Sequence, residues 1–216
     1  MELFSGTECI SNAFRARGHE CFTIDWDEKF PSSWHTDISK VTSQDIIDRF
    51  GYPDIIWMGT DCTSYSIAAI SKHRKKNPET GNLDPVSDYA KFCDEMNVHV
   101  KQLVKDLNPK FYFWENPRAG LRKMSFMQDI PRYTITYCQY MQNDPWEKRR
   151  MKPTDIWTNH PNPQFKEPCK NGAKCHPPAP RGSNKYGTQA LKGAMERSMY
   201  PEELCEHIVD ICEQYL

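Results

Sequence analysis

Short apolar runs alternate with helical stretches over the first sixty residues, and this constrains the chain more than any other feature. "MELFSG" reads as a strand ending at Gly6, "CISNAFRARG" as a helix stopped by Gly18, and "ECFTIDWD" as a second strand. "SQDIIDRFG" reads as a helix with Ser43 as N-cap and Gly51 closing it, followed by the strand "PDIIWMG". Strands and helices alternating at this spacing predict an α/β fold, a mostly parallel sheet with helices on both faces.

The turn-rich, basic stretch "SKHRKKNPETGNLD" has no apolar period, so residues 67–84 are predicted to form a mobile loop suited to gating. An amphipathic helix is predicted from Pro85 to Leu107, with Val86, Tyr89, Phe92, Cys93, Met96, Val100, Leu103 and Leu107 on its apolar face. "PKFYFWENP" reads as a buried aromatic strand ended by Asn116-Pro117, and "RYTITYCQY" and "PTDIWTN" as two more strands. From His160 to Gly187 the chain turns rich in Pro, Gly, Lys and Asn, the composition of an irregular excursion. The tail returns to a helix, with Pro201 at its start and Leu204, Ile208, Ile211 and Cys212 on one face.

A chain of 216 residues, 38% hydrophobic and 26% charged, can bury one sizeable core. One domain over 1–216 is therefore expected, with the irregular excursion at about 158–187 as its only departure. A formal net charge of -1 means that a nucleic-acid partner would have to be met by a local basic patch. No apolar run approaches the roughly 18 residues of a membrane span, and "MELFSGTECI" lacks a basic leader pattern, so a cytoplasmic protein is expected. Nine cysteines, an odd number scattered from Cys9 to Cys212, fit reduced thiols better than a disulfide framework.

Ligands of an open parallel sheet bind at the carboxyl ends of its strands, which here read Phe4-Ser5-Gly6, Asp25-Trp26, Gly59-Thr60-Asp61-Cys62 and Glu115-Asn116-Pro117. Asp25 lies 19 residues after Gly6, close to the roughly 20-residue spacing at which an acid meets ribose hydroxyls. Trp26 could stack on an adenine, and Asp37 could accept from an exocyclic amine. The competing reading makes Asp25 and Asp37 capping or loop acids. Cys62 and Glu115 are the reactive candidates: a thiol activated by its surroundings, and a carboxyl group made a proton donor by burial. The alternative for Cys62 is a packed thiol.

"LFSGTECISNAFRARGHECFTIDWD", "PDIIWMGTDCTSYS", "FYFWENPR" and "ERSMYPEELCEHIVDI", in this order, resemble the DNA (cytosine-5) methyltransferases, especially the compact forms of phages and bacterial genomes. The resemblance implies a Rossmann-like class I S-adenosylmethionine-dependent methyltransferase fold. It implies S-adenosylmethionine as cofactor, held by Phe4, Gly6, Thr7, Asp25, Trp26, Asp37 and Ile38. It also implies a cytosine in DNA, flipped from a duplex, as substrate. Cys62 would add to carbon 6 of that cytosine, Glu115 would serve the ring nitrogen opposite as an acid, and Asn116 would fix the loop. Arg150, within "KRRMK", would contact the target base and phosphates. The setting implied is a bacterial or phage-infected cell, with restriction, self-protection and regulation all open as roles.

Two positions depart from the family pattern. Glu8 replaces the second glycine of the cofactor turn, where bulk and negative charge are expected near the cofactor's carboxylate. Asp61 replaces the proline before the cysteine, where an acid is expected to raise the thiol's pKa. Two further readings thus stay open: an inactive methyltransferase-like module that binds DNA or regulates, and a methyltransferase of RNA or a free nucleotide. Separately, Cys169, Cys175 and His176, with His160 upstream, offer four ligands to a structural zinc, against the alternative of surface residues on a proline-rich loop. The run Lys72-His73-Arg74-Lys75-Lys76 is expected to contact phosphates, or else to be a solvated charge run.

Overall fold

The computed structural model describes residues 1–180 and 182–216. Its elements in chain order are β1 (Glu2–Leu3), α1 (Cys9–Ala16), β2 (Thr23–Asp25), β3 (Trp34–His35), α2 (Ser43–Phe50), β4 (Ile55–Gly59), α3 (Ile70–His73), β5 (Arg74–Lys76) and β6 (Leu83–Pro85). They continue with α4 (Asp88–Leu107), β7 (Phe111–Pro117), β8 (Arg132–Thr136), β9 (Pro153–Thr158), α5 (Gly193–Ser198) and α6 (Glu202–Glu213). Seven strands form one sheet in the order β3-β2-β1-β4-β7-β9-β8. The first five in that order are mutually parallel, while β9 runs antiparallel to both β7 and β8. Chain order reverses between β1 and β4, so the crevice of this Rossmann-like sheet opens over their carboxyl ends.

The central strands β4 and β7 open on apolar runs, Ile55 to Met58 and Phe111 to Trp114, because both of their faces are covered. Along β4, Ile56 and Met58 face the core beneath α2 and α4, and Trp57 faces the core beneath α1 and α6. On β7, Trp114 joins the first core and Phe111 and Phe113 the second. The parallel β-α pattern expected from the first sixty residues is the one observed.

Local chemistry moves several boundaries. The N-cap of α2 is Thr42, not Ser43: its hydroxyl accepts from Asp45 N, and the Asp45 carboxylate accepts from Thr42 N. This reciprocal pair satisfies two helix-end donors, which Ser43 one residue later cannot do. The long helix begins at Asp88, capped by Ser87, and Val86, Tyr89 and Phe92 are exposed instead of in the core. The strand expected from "RYTITYCQY" stops at Thr136 and gives way to a 3₁₀ turn, Tyr137–Tyr140.

The stretch 67–84 is no loose loop: α3 is followed by the antiparallel hairpin β5–β6. Its anchor is Arg74, whose fully buried guanidinium meets Asp94 at 2.7 Å and donates to the Ser64 carbonyl at 3.0 Å. His73 is also buried, hydrogen-bonded to Ser87 Oγ at 2.8 Å, so only Lys72, Lys75 and Lys76 of the basic run face solvent. The excursion does lack regular structure, since no described residue between 159 and 187 lies in a helix or strand.

Candidate functional site

The turn after β1 carries three left-handed residues, Phe4 (φ 57°), Gly6 (φ 48°) and Glu8 (φ 54°). Strain of this kind in non-glycine residues costs roughly 1–2 kcal/mol each and persists only where the surroundings enforce it. Gly6 N donates to Asp25 Oδ2 at 2.8 Å, which ties the first strand end to the second. Glu8 occupies a backbone conformation that suits glycine, and its side chain is engaged by two neighbours. It accepts from Arg15 at 2.8 Å and from Thr23 Oγ1 at 2.6 Å. Burial works to raise its pKa, but the hydrogen bonds from Arg15 and Thr23 prevail and hold the carboxyl below its ordinary value. The negative charge expected at Glu8 is thus present, and it is paired with Arg15.

A cavity of about 350 Å³ opens beside this turn. Phe4, Asp25, Trp26, Asp37 and Ile38 line it, together with Tyr89 and Phe92 from the first turns of α4. Gly6 and Thr7 are not in its wall: Gly6 acts through Asp25, and the Thr7 hydroxyl pairs with Cys9 Sγ at 3.1 Å. Trp26 is 72% exposed, an indole held against the cavity without core contacts. Asp25 accepts from Gly6 N and Asp27 N, and Asp37 caps the following 3₁₀ turn through Ser39 N, so each acid serves the backbone and the cavity at once. Hydrogen bonds from Ser39 are the main reason that the Asp37 carboxyl is held below its ordinary pKa. Tyr89 and Phe92 belong to the site and not to the core, which helical periodicity cannot distinguish.

The cavity runs on to Thr60 and Asp61, and Cys62 follows directly. Gly59 and Glu115 are partners in the β4–β7 register, so the loop bearing Cys62 leaves the sheet beside Glu115. Asn116 Nδ2 donates to the Thr60 carbonyl at 2.9 Å, and Trp114 Nε1 to Thr60 Oγ1 at 3.0 Å. Past Cys62 the chain coils at once, Ser66 N donating to the Cys62 carbonyl at 2.7 Å. The thiol's pKa is pushed up to about 11, first by burial, then by the Glu115 and Asp61 carboxylates, against an opposing pull from Lys152. The sequence-based expectation for Asp61 has the right sign, but burial outweighs it.

Glu115 is 5% exposed, and burial raises its pKa. Tyr137 and Tyr200 donate to its two oxygens at 3.3 and 3.5 Å, and Lys152 Nζ stands 4.0 Å from Oε1. Tyr200 sits so close over Gly59 that a Cβ there would collide with its hydroxyl. Arg150 lies over the Tyr137 ring at 5.8 Å and donates to the Met199 carbonyl at 3.3 Å, while its Nε is buried without a partner among the described residues. Tyr137, Lys152 and Tyr200 were not singled out as site residues from sequence. Lys152 had a signal, its place in the basic cluster, whereas the two tyrosines reach Glu115 only through the tertiary fold.

At the far end of the chain, Cys169, Cys175 and His176 meet as anticipated, but with Cys138 as the fourth member. His160 is elsewhere: its Nε2 donates to the Ile211 carbonyl at 3.1 Å, and its Nδ1 accepts from Asn162 N at 3.2 Å. Both ring nitrogens are thus used, which corrects its assignment as a ligand.

No family model and no curated protein matches the chain. Solved structures do match. One is described as a prophage-encoded candidate DNA modification methyltransferase of E. coli, at 17% identity and a TM-score of 0.49, covering 73% of this chain and 44% of that one. Another is the Dnmt2 methyltransferase of S. pombe, at 13% identity and a TM-score of 0.47, covering 73% of this chain and 47% of that one. The chain spans less than half the length of either structure. The fold, read from the strand order itself, is α/β and Rossmann-like.

Proposed function

We propose that this chain transfers a methyl group from S-adenosylmethionine to carbon 5 of cytosine in DNA through a covalent adduct with Cys62. The observation that carries this reading is the placement of a thiol and a buried carboxyl group at the ends of two adjacent parallel strands. Gly59, three residues before Cys62, is the register partner of Glu115.

The residues around the cavity fit the cofactor. Phe4, Trp26, Ile38, Tyr89 and Phe92 offer apolar and aromatic surface to an adenosyl group, and Asp25 and Asp37 offer acceptors to its hydroxyls and exocyclic amine. When bound, S-adenosylmethionine supplies the electrophilic methyl group that carbon 5 takes up.

The protein's own groups account for the rest. Cys62 gives up its proton to water and its sulfur forms a bond to carbon 6, pushing the ring electrons toward carbon 5 and the opposite ring nitrogen. Glu115, protonated more readily than an ordinary glutamate, donates to that nitrogen and keeps the charge from building up there. After methylation water takes the carbon 5 proton, the ring double bond re-forms as the carbon–sulfur bond breaks to release Cys62, and the ring nitrogen returns its proton to Glu115. Asn116, through Thr60, holds the loop that presents the thiol. Arg150 and Lys152, beside Tyr137, form the wall that a flipped base would meet. Lys72, Lys75 and Lys76 are free to reach phosphates.

The test is transfer of labelled methyl from S-adenosylmethionine to duplex DNA of mixed sequence, with RNA and free cytidine nucleotides as parallel substrates. The reading expects 5-methylcytosine in the DNA alone. Transfer confined to RNA or nucleotide would reassign the substrate, and no transfer with no cofactor binding would favour an inactive module.

A further inference from the structure

The structure assigns a zinc site to Cys138, Cys169, Cys175 and His176, where one ion staples the irregular excursion to the turn that carries Tyr137. All four ligand atoms lie within 4.8 Å of one another. The measured separations are 3.0 Å for Cys138 to Cys169 and 3.8 Å for Cys175 to Cys138, with His176 Nδ1 3.3 Å from Cys175 and 3.7 Å from Cys169. A tetrahedral zinc with Zn–S of about 2.3 Å and Zn–N of about 2.0 Å needs S···S of about 3.8 Å and S···N of about 3.5 Å. The cluster is therefore already near the size of its ion: three of these four edges lie within about 0.2 Å of the ideal, and the Cys138–Cys169 edge has to open. Three thiolates and an imidazole select zinc over the hard cations, which take oxygen ligands. With all four corners filled by protein the site has no open position, so the ion is structural.

The placement gives the site its purpose. Cys138 follows Tyr137, which donates to Glu115, while Cys169, Cys175 and His176 belong to a stretch without helix or strand. Besides the cluster, this stretch is held to the body by scattered bonds, such as Cys169 N to Thr136 Oγ1 at 2.9 Å and Trp146 Nε1 to the Lys174 carbonyl at 2.9 Å. An ion linking residues 138, 169, 175 and 176 replaces the missing secondary structure and fixes the excursion against the Glu115 side of the crevice. The spacing "CKNGAKCH" contributes three ligands, and the fourth comes from more than thirty residues upstream, which a search for a local knuckle overlooks.

The experiment is metal analysis of the purified full chain, kept reduced and given one equivalent of zinc before desalting. About one bound zinc is expected in the wild type and in Cys21→Ser, a thiol outside the cluster, and less than about a tenth of an equivalent in Cys175→Ser. Replacement by cobalt should give the visible absorption of a tetrahedral thiolate site. Chelation should speed amide exchange in residues 165–178 several-fold while leaving β4 and β7 unchanged. Wild-type protein with less than a tenth of an equivalent would overturn the assignment. So would equal zinc in Cys175→Ser, or a native mass two hydrogens short with a Cys138–Cys169 disulfide in its peptide map. None of these readouts depends on methyl transfer, so this assignment and the proposed activity fail separately.

Discussion

Asn116 and Thr60 are joined by a 2.9 Å hydrogen bond from the Asn116 amide to the Thr60 carbonyl, two residues before Cys62. The bond links the end of β7 to the loop leaving β4, so the position of the thiol depends on the side chain next to Glu115. Asn116→Ala removes the tie and leaves a buried carbonyl without that partner, at a cost of about 1–3 kcal/mol in stability. Methyl transfer should fall about 10²-fold in kcat, because a displacement near 1 Å at the reacting atom has that effect. Cofactor binding, measured by calorimetry, should change little.

Cys62, with a pKa of about 11, is almost wholly a thiol at neutral pH. Asp61→Asn keeps an acceptor for the 2.6 Å hydrogen bond from Thr63 N while removing the charge. The thiol pKa should drop by up to about one unit, about 1.4 kcal/mol, and alkylation of Cys62 at pH 8 should quicken up to about tenfold. Peptide mapping of iodoacetamide-treated protein reads this residue by residue. An unchanged rate would show that Asp61 does not act on the thiol.

Glu115→Gln separates the two roles of that carboxyl group. Cys62 should alkylate faster, since the carboxylate that raises its pKa more is gone, while methyl transfer should fall by about 10²–10⁴-fold with loss of the acid. In the wild type, kcat/KM should climb with pH up to the raised pKa of Glu115 and level off above it, because loss of the acid then offsets ionisation of Cys62. The levelling should be absent from the residual activity of the variant, which should go on climbing as Cys62 ionises.

The strand ends that hold Asp25, Cys62 and Glu115 were legible in the sequence because a parallel sheet buried on both faces writes itself as apolar runs with abrupt polar ends. Tyr137, Tyr200 and Cys138 were not legible, since each reaches its partner across 22 residues or more and nothing in local spacing marks it. Arg74 misled in the opposite direction. Within "SKHRKK" it reads as a solvated charge, and only the fold shows Asp94 waiting 20 residues later on α4.

Arg74→Ala tests that pairing. Removing the buried guanidinium takes the cation from Asp94, which keeps only the Tyr65 hydroxyl as donor, and leaves the Ser64 carbonyl without that partner, at a cost of about 3 kcal/mol. Urea unfolding should show that loss, whereas Lys75→Ala, on the exposed face of the same strand, should stay within about 0.5 kcal/mol of wild type.

Glu2 predicts a pH dependence of stability. It is buried on β1, accepts from Ser11 N at 2.8 Å, and burial raises its pKa from 4.5 to about 7. A carboxyl whose folded pKa lies above its unfolded value stabilises the fold at low pH, and this contribution is lost as pH rises from about 4.5 through about 7. The loss should be on the order of 3 kcal/mol, and Glu2→Gln should remove it from the profile.

The central claim, that Cys62 forms a bond to a cytosine, is tested most directly by trapping. Duplex DNA containing 5-fluorocytosine is incubated with S-adenosylmethionine and the protein, and the products are resolved under denaturing conditions. The fluorine cannot leave as a proton does, so wild-type protein should remain covalently attached to the DNA through a Cys62 peptide identified by mass spectrometry, and Cys62→Ser should leave no adduct. An equal yield of adduct from Cys62→Ser, or attachment through another cysteine, would contradict the account.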